Sequence, residues 1–164
     1  MKPTNAILNL ILIGALSAGL SGCDNGSAKT DGKTKTKGGH SHSDKGPHKG
    51  DLVDLGKDGK YHAEIVHDDD TDIVTVYILA GDSKTPVPID AKQIAVNLTH
   101  DGVAEPPFKL NAKPDAKDPQ GKSSRFVTPD KELGEHLDLK DVTNRRLVVK
   151  IDGKDRSGEI KHSP

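Results

Sequence analysis

The sequence predicts an all-β protein, an antiparallel β-sandwich of about seven or eight strands that follows a disordered N-terminal tether. Three observations support this fold class. From residue 52 onward, short apolar segments are bounded by turn-forming residues, as in sandwich or barrel domains. Apolar and polar residues alternate within these segments, for example at Ile94, Val96 and Leu98, which is typical of half-buried strands. The chain also lacks the alternation of strands with long helices that indicates a parallel sheet.

The predicted elements follow one another closely along the domain. Strands are expected at 52–55, 61–67, 73–79, 94–99, 108–112, 124–126, 147–151 and 156–162. A short helix is expected to open at Pro129-Asp130 and run to about Leu137, with Asp130 as its N-cap. Asp152-Gly153 predicts a tight hairpin turn. The outline resembles immunoglobulin-like or cupredoxin-like domains, without the Cys–Trp core of true immunoglobulin domains because the chain contains no Trp.

The first 22 residues have the features of a signal peptide, with a short basic start and a mostly apolar stretch from Ala6 to Leu20. That stretch ends in Leu20-Ser21-Gly22-Cys23, which resembles the lipobox of bacterial lipoproteins. The resemblance implies cleavage before Cys23 and diacylglycerol on its sulfur. It therefore implies a lipoprotein anchored to a membrane of the cell envelope, facing the periplasm or the exterior. Cys23 is the only cysteine, so no internal disulfide is expected.

Residues 23–50 are predicted to be a lipidated, disordered tether, and residues 51–164 a folded domain. The tether contains Gly, Ser, Thr, Lys, Asp and His with almost nothing apolar, so it cannot bury enough surface to offset its ordering entropy. Six lysines against three aspartates give residues 24–50 a net charge of +3, while the domain is acidic. A basic tether of this kind is expected to lie near anionic lipid headgroups.

Three histidines of the tether, His40, His42 and His48, are candidate ligands for a divalent transition metal such as Cu or Zn. The alternative is that they belong to a solvated tether without a ligand. His62 and Glu64 lie two apart on a predicted strand and therefore share one face. They could join a metal site, although a solvent-exposed pair is the favoured interpretation.

The stretch from Gly46 to Val66, with "GPHKGDLVDLG" followed by "YHAEIV", resembles the opening of small secreted or lipidated envelope proteins of planctomycete-like bacteria. The opening of that pattern reads "GPHGG", and Lys49 stands where the pattern has a glycine. A similar opening occurs near the periplasmic parts of heavy-metal efflux adaptors. The resemblance implies a small envelope module from a metal-handling neighbourhood.

A further candidate site depends on strand direction. If the strands that end at His67, at Leu79 and near His100 run up, down and up, then His67 and His100 lie at the same end of the domain. The aspartates of the turn after His67 would join them there and could bind a divalent ion; they are Asp68, Asp70 and Asp72. The favoured alternative is an acidic hairpin turn, because Ile73 and Leu79 occupy the places where a calcium loop needs Gly and Glu.

No catalytic constellation is evident in the sequence, so an enzyme is not expected. Residues 116–123 approach a phosphate-binding loop, but Ala116 replaces its first glycine. Nucleic acid is not expected as a partner either, because the chain has no concentrated basic face and only four aromatic residues. Two hypotheses remain: an anchored protein that binds a divalent transition metal in the cell envelope, and a non-catalytic module that binds another envelope protein.

Overall fold

The computed structural model describes residues 45–161, which form nine β-strands and one short helix, α1 (Glu132–Leu137). The strands are β1 (Asp51–Asp54), β2 (Tyr61–Asp68), β3 (Ile73–Ala80), β4 (Gln93–His100), β5 (Val103–Ala104), β6 (Phe108–Ala112), β7 (Arg125–Val127), β8 (Val142–Ile151) and β9 (Lys154–Glu159). The predictions for the signal peptide, Cys23, His40 and His42 fall on residues 1–44, outside the described residues.

The predicted all-β antiparallel class is confirmed. Eight strands follow one another in the order β1-β2-β3-β7-β6-β4-β8-β9, and β5 pairs with β4. Each paired neighbour is antiparallel. The two outer strands, β1 and β9, lie against each other, so the strands form one nearly closed, barrel-like sheet in place of two separate facing sheets.

The interior of the sheet is filled mainly by aliphatic side chains. In β4 the buried residues alternate with more exposed ones, which is the period-two pattern read from the sequence. Phe126 on β7 is the largest fully buried side chain, and Leu133 and Leu137 of α1 pack into the same core. The helix is therefore held to the sheet by apolar burial.

Two strand segments were missed by the sequence prediction, namely β5 and the first half of β8. Residues 142–146 carry mostly polar, exposed side chains, so they show no apolar alternation. The hairpin at Asp152-Gly153 is confirmed, and both residues have positive φ angles, 50° and 74°. This geometry is that of a two-residue hairpin turn whose twist matches the flanking strands.

Strand direction places one end of β2 and one end of β4 together. Because each neighbour in the order β2-β3-β7-β6-β4 is antiparallel, β2, β7 and β4 run in the same direction. His67 near the end of β2 and His100 at the end of β4 therefore lie at the same end, as the sequence predicted. The helix α1 connects β7 to β8 at this end, which we call the α1 end.

The ordered domain begins before the predicted boundary at residue 51. Residues 45–50, which we call the strap, form a turn closed by hydrogen bonds from the Gly46 amide to the Gly50 carbonyl (2.9 Å) and from the Lys49 amide to the Gly46 carbonyl (3.0 Å). Lys45 bridges to Asp51 across the turn at 2.7 Å. The strap leads directly into β1 and belongs to the folded domain.

Lys49 adopts a backbone conformation that favours glycine, with φ at 68°. A left-handed conformation costs a residue with a Cβ about 1–2 kcal/mol, and substitution by glycine removes this cost. Glycine also has more conformational freedom in the unfolded chain, which lowers the stability gained by about 0.5–1 kcal/mol. We expect Lys49→Gly to raise the free energy of unfolding by up to about 1 kcal/mol in urea titrations. Lys57→Gly, at a residue without positive φ, should give no such gain, and equal effects would refute strain at Lys49.

Candidate metal centre at the α1 end

The prediction that His62 and Glu64 form an exposed pair is wrong. Both are buried, with 2% and 0% of their surface exposed. The two side chains also take separate partners. His62 Nε2 lies 2.9 Å from Asp54 Oδ1, on the strand residue paired with it, and His62 Nδ1 lies 3.2 Å from the Ala80 carbonyl oxygen.

Glu64 is held by the strap. Its Oε1 accepts hydrogen bonds from the amides of His48 (2.6 Å) and Gly50 (2.9 Å), and its Oε2 lies 2.8 Å from His48 Nδ1. A Cβ at Gly46 would overlap the Glu64 carboxyl group, and one at Gly50 would overlap the backbone of Ile65. Only glycine fits at these two positions.

His48 also stacks on Tyr77, with ring centroids 3.7 Å apart and planes 9° apart. The structure thus brings His48 and Glu64 together, two of the predicted site residues, and leaves His62 with Asp54. Gly46, His48, Gly50 and Glu64 are among the residues on which the sequence resemblance was based, and their contacts here hold the strap on β2. The pattern therefore has a structural explanation in this chain.

Two clusters of metal-ligating side chains lie at the α1 end. The first, which we call the His67 group, consists of His67, Asp69, Asp72 and Asp138. The His67 side chain is 6% exposed, and its Nε2 lies 3.5 Å from Asp72 Oδ1. Its Nδ1 lies 3.6 Å from Asp138 Oδ1 and 3.8 Å from Asp69 Oδ1. His67, Asp72 and Asp138 each offer one ligand atom, and these three atoms lie within 4.8 Å of one another, which is close enough to bind one metal ion.

The His67 group borders a cleft of about 530 Å³ that the strap closes on one side, with Lys45 and Lys49 among its lining residues. Helix α1 packs directly against the His67 group. Gly134 lies so close to the carbonyl of Asp72 and to His67 Nε2 that an added Cβ would come within 2.7 Å of that nitrogen. The position of α1 therefore fixes how close Asp138 comes to His67.

The second cluster, which we call the His100 group, consists of His100, Glu105, His136 and Asp141. His100 Nδ1 lies 3.3 Å from Glu105 Oε1, and His100 Nε2 lies 3.0 Å from Asp141 Oδ2. On the other side of the same Glu105 oxygen, His136 Nε2 lies 3.7 Å away. The two imidazole rings meet edge to face, with centroids 6.4 Å apart.

The hydrogen-bond partners decide which ring nitrogens carry protons. His136 Nδ1 lies 2.8 Å from the Glu132 carbonyl oxygen, which can only accept, so Nδ1 is the protonated nitrogen. Asp141 accepts in the same way from His100 Nε2. The hydrogen bond with Asp141 raises the pKa of His100 above its ordinary value, and the same bond lowers the pKa of Asp141.

Sequence reasoning found His67, Asp72 and His100 at this end. Of the other two predicted aspartates, Asp68 accepts hydrogen bonds from the amides of Asp70 and Thr71 within the turn, and neither Asp68 nor Asp70 belongs to the His67 group. The side chains that complete both groups were missed, namely Asp69, Glu105, His136, Asp138 and Asp141.

The sequence did contain a signal for His136, Asp138 and Asp141, which lie in or just after the predicted helix. The predicted helix follows β7, and β7 runs in the direction of β2 and β4, so residues around that helix had to lie at the end that carries His67 and His100. The direction of β7, however, is known only once its neighbours in the sheet are known.

Comparisons with protein-family models, with curated proteins and with solved structures find no match to this chain. Within residues 45–161, no helix is both long enough and apolar enough to span a membrane.

Proposed function

We propose that this chain is a lipid-anchored protein of the cell envelope that binds a divalent transition metal, such as Zn²⁺ or Cu²⁺, at the α1 end of its domain. One observation carries the proposal. Among residues 45–161, two sets of three side chains have metal-ligand spacing, and both lie at this end: His67 with Asp72 and Asp138, and His100 with Asp101 and Asp141.

Electrostatics supports a cation at this position. Five carboxylates (Asp69, Asp72, Glu105, Asp138 and Asp141) converge on three imidazoles within the two groups. In a partly buried setting the mutual repulsion of carboxylates is screened less than in bulk water, so a divalent ion would stabilise this end of the domain. Imidazole nitrogen together with carboxylate oxygen is a ligand set that suits zinc and copper.

The cellular location rests on the N-terminal residues. The lipobox-like Leu20-Ser21-Gly22-Cys23 supports lipid attachment at Cys23, with the domain held outside the membrane by residues 24–44. His40 and His42 in that segment remain candidates for additional metal capture. Their contribution is separable from that of the domain by substitution.

A second candidate function, a non-catalytic module that binds another envelope protein, is favoured by two exposed apolar side chains. Val103, at the start of β5 beyond the end of β4, is 68% exposed, and Leu139 after α1 is 39% exposed. Both lie at the α1 end. A partner bound there would bury apolar surface beside the two groups, and crosslinking in intact cells would identify it.

The metal proposal predicts saturable binding of Zn²⁺ or Cu²⁺ by a soluble form of the chain, residues 24–164, measured by calorimetric titration after chelator treatment. Free metal at a hundredfold excess over Kd should stabilise the fold by about 2.7 kcal/mol, which a thermal melt detects. The double variant His40→Ala/His42→Ala serves as the control and should retain the stabilisation. Absence of binding, or loss of all binding in this control, would contradict a site at the α1 end.

A further inference from the structure

We infer that the transition metal is held by His100, Glu105 and His136, as a centre with two nitrogen ligands and one oxygen ligand. This inference rests on the proposed function and assigns the metal to one of the two groups. It names His100 Nδ1, His136 Nε2 and a Glu105 carboxylate oxygen as the ligand atoms.

Two of the three separations between these ligand atoms, those that involve the Glu105 oxygen, are close to those of a metal centre. The Glu105 oxygen lies 3.3 Å from His100 Nδ1 and 3.7 Å from His136 Nε2. Two ligands of a tetrahedral ion, each about 2.1 Å from it, are about 3.4 Å apart. The imidazole centroids are 6.4 Å apart, and the two ligand nitrogens, His100 Nδ1 and His136 Nε2, are more than 4.8 Å apart. Metal binding therefore requires the partly exposed His136 side chain, near the end of a short helix, to move towards His100.

Both imidazoles already have the outer hydrogen bonds that metal-bound histidines use. His136 donates its Nδ1 proton to the Glu132 carbonyl oxygen, and His100 donates its Nε2 proton to Asp141. Each bond fixes the ring orientation and leaves the opposite nitrogen facing the Glu105 oxygen. Such outer partners fix the tautomer of a ligating histidine and increase its basicity. Two rings prepared in this way around one carboxylate distinguish this cluster from a chance surface ion pair.

The opposite side of His100 is a weaker alternative. There His100, Asp101 and Asp141 have ligand atoms within 4.8 Å of one another. The Asp141 carboxylate, however, lies at hydrogen-bond distance from Nε2 and is about half exposed, while the Glu105 carboxylate is only 18% exposed. The Nδ1 side also has the second imidazole, and nitrogen ligands favour zinc and copper over calcium and magnesium.

The His67 group has one imidazole and three carboxylates, so its chemistry is different. A set dominated by oxygen favours harder cations. Access to the two groups is also separate. The His100 group opens onto a cleft of about 480 Å³ lined by Glu105, Phe108 and His136, which provides a path for a hydrated ion.

The test measures Zn²⁺ affinity by competition with a chromophoric chelator, using the same soluble form of the chain and four single variants. His136→Gln and Glu105→Gln each remove one ligand, and we expect Zn²⁺ binding to weaken more than about 100-fold in both. Asp141→Asn removes an outer partner, and we expect a loss of about 10- to 100-fold. Asp138→Asn, the matched Asp→Asn change in the His67 group, should leave the Zn²⁺ affinity of the centre within about twofold.

The outcomes separate this inference from the proposed function. If the unaltered chain binds Zn²⁺ and only Asp138→Asn weakens binding, the ion lies in the His67 group, and the inference fails while the proposed function stands. If the unaltered chain binds no Zn²⁺ or Cu²⁺, both fail. Circular dichroism of the metal-free variants should show an intact sheet, because His136 and Glu105 pack outside the apolar core.

Discussion

Replacing Glu64 by alanine is expected to lower the free energy of unfolding by about 3–5 kcal/mol. The Glu64 carboxylate is fully buried and accepts three hydrogen bonds from the strap, two of them from backbone amides. Its removal leaves the buried Gly50 amide and the His48 amide without their acceptor, and each orphaned donor costs about 1–3 kcal/mol.

A second variant separates hydrogen bonding from charge. Glu64→Gln keeps one carbonyl oxygen that can accept from the His48 and Gly50 amides, so we expect about half of the loss seen with alanine. Glu159→Ala, on the exposed face of β9, is the control and should change the free energy of unfolding by less than about 0.5 kcal/mol. Urea unfolding monitored by circular dichroism measures all three.

The strap provides a local readout of the same prediction. In Glu64→Ala we expect the His48 and Gly50 amides to exchange with solvent faster than in the unaltered chain, since local opening no longer breaks their bonds to Glu64. The His48–Tyr77 stack should be lost as well. A variant that unfolds like the unaltered chain, with protected strap amides, would show that the strap is held by other contacts.

The sequence predicted most of the strands because strand periodicity is local. Period-two alternation is written in neighbouring residues, so β4 and β6 were located to within one or two residues. The strap was missed for the opposite reason. Its Gly, Lys and His composition is the same as that of the preceding tether, and its order depends on Glu64, sixteen residues beyond His48. A long-range contact of this kind has no local signature.

The candidate site was predictable in part for the same reason. The sequence placed His67 and His100 at the same end of the domain on the condition that successive strands alternate in direction. The topology meets this condition, since β2 and β4 run in the same direction. The partners of these histidines come from a two-strand hairpin and from α1, whose positions follow from packing of Leu133 and Leu137 into the core. The exposed interpretation of His62 and Glu64 failed because strand alternation shows which face a residue occupies, whereas the first part of β2 is buried on both faces, with the strap bonded to Glu64.

Helix α1 carries His136 of the His100 group and is followed directly by Asp138 of the His67 group. The position of α1 on the sheet should therefore determine the geometry of both groups. Gly134 is the point of closest approach, against the Asp72 carbonyl and His67 Nε2. We expect Gly134→Ala to lower the free energy of unfolding by about 2 kcal/mol. Alanine in a helix interior ordinarily gains up to about 1 kcal/mol over glycine, whereas forcing a methyl group against backbone costs about 1–3 kcal/mol and lifts Leu133 from the core.

Whether Gly134→Ala raises or lowers the free energy of unfolding is therefore the informative result. Urea unfolding measures this change, and Zn²⁺ titration measures the accompanying change in metal affinity. Glu135→Ala, on the exposed side of the same helix, removes only a surface pair with Lys131 and should change the free energy of unfolding by less than about 0.5 kcal/mol. In Gly134→Ala we expect Zn²⁺ affinity to fall at least about tenfold as His136 shifts away from Glu105. A Gly134→Ala protein that gains stability and keeps its affinity would mean that α1 is free to move, and the metal ligands would then have to be positioned by the ion itself.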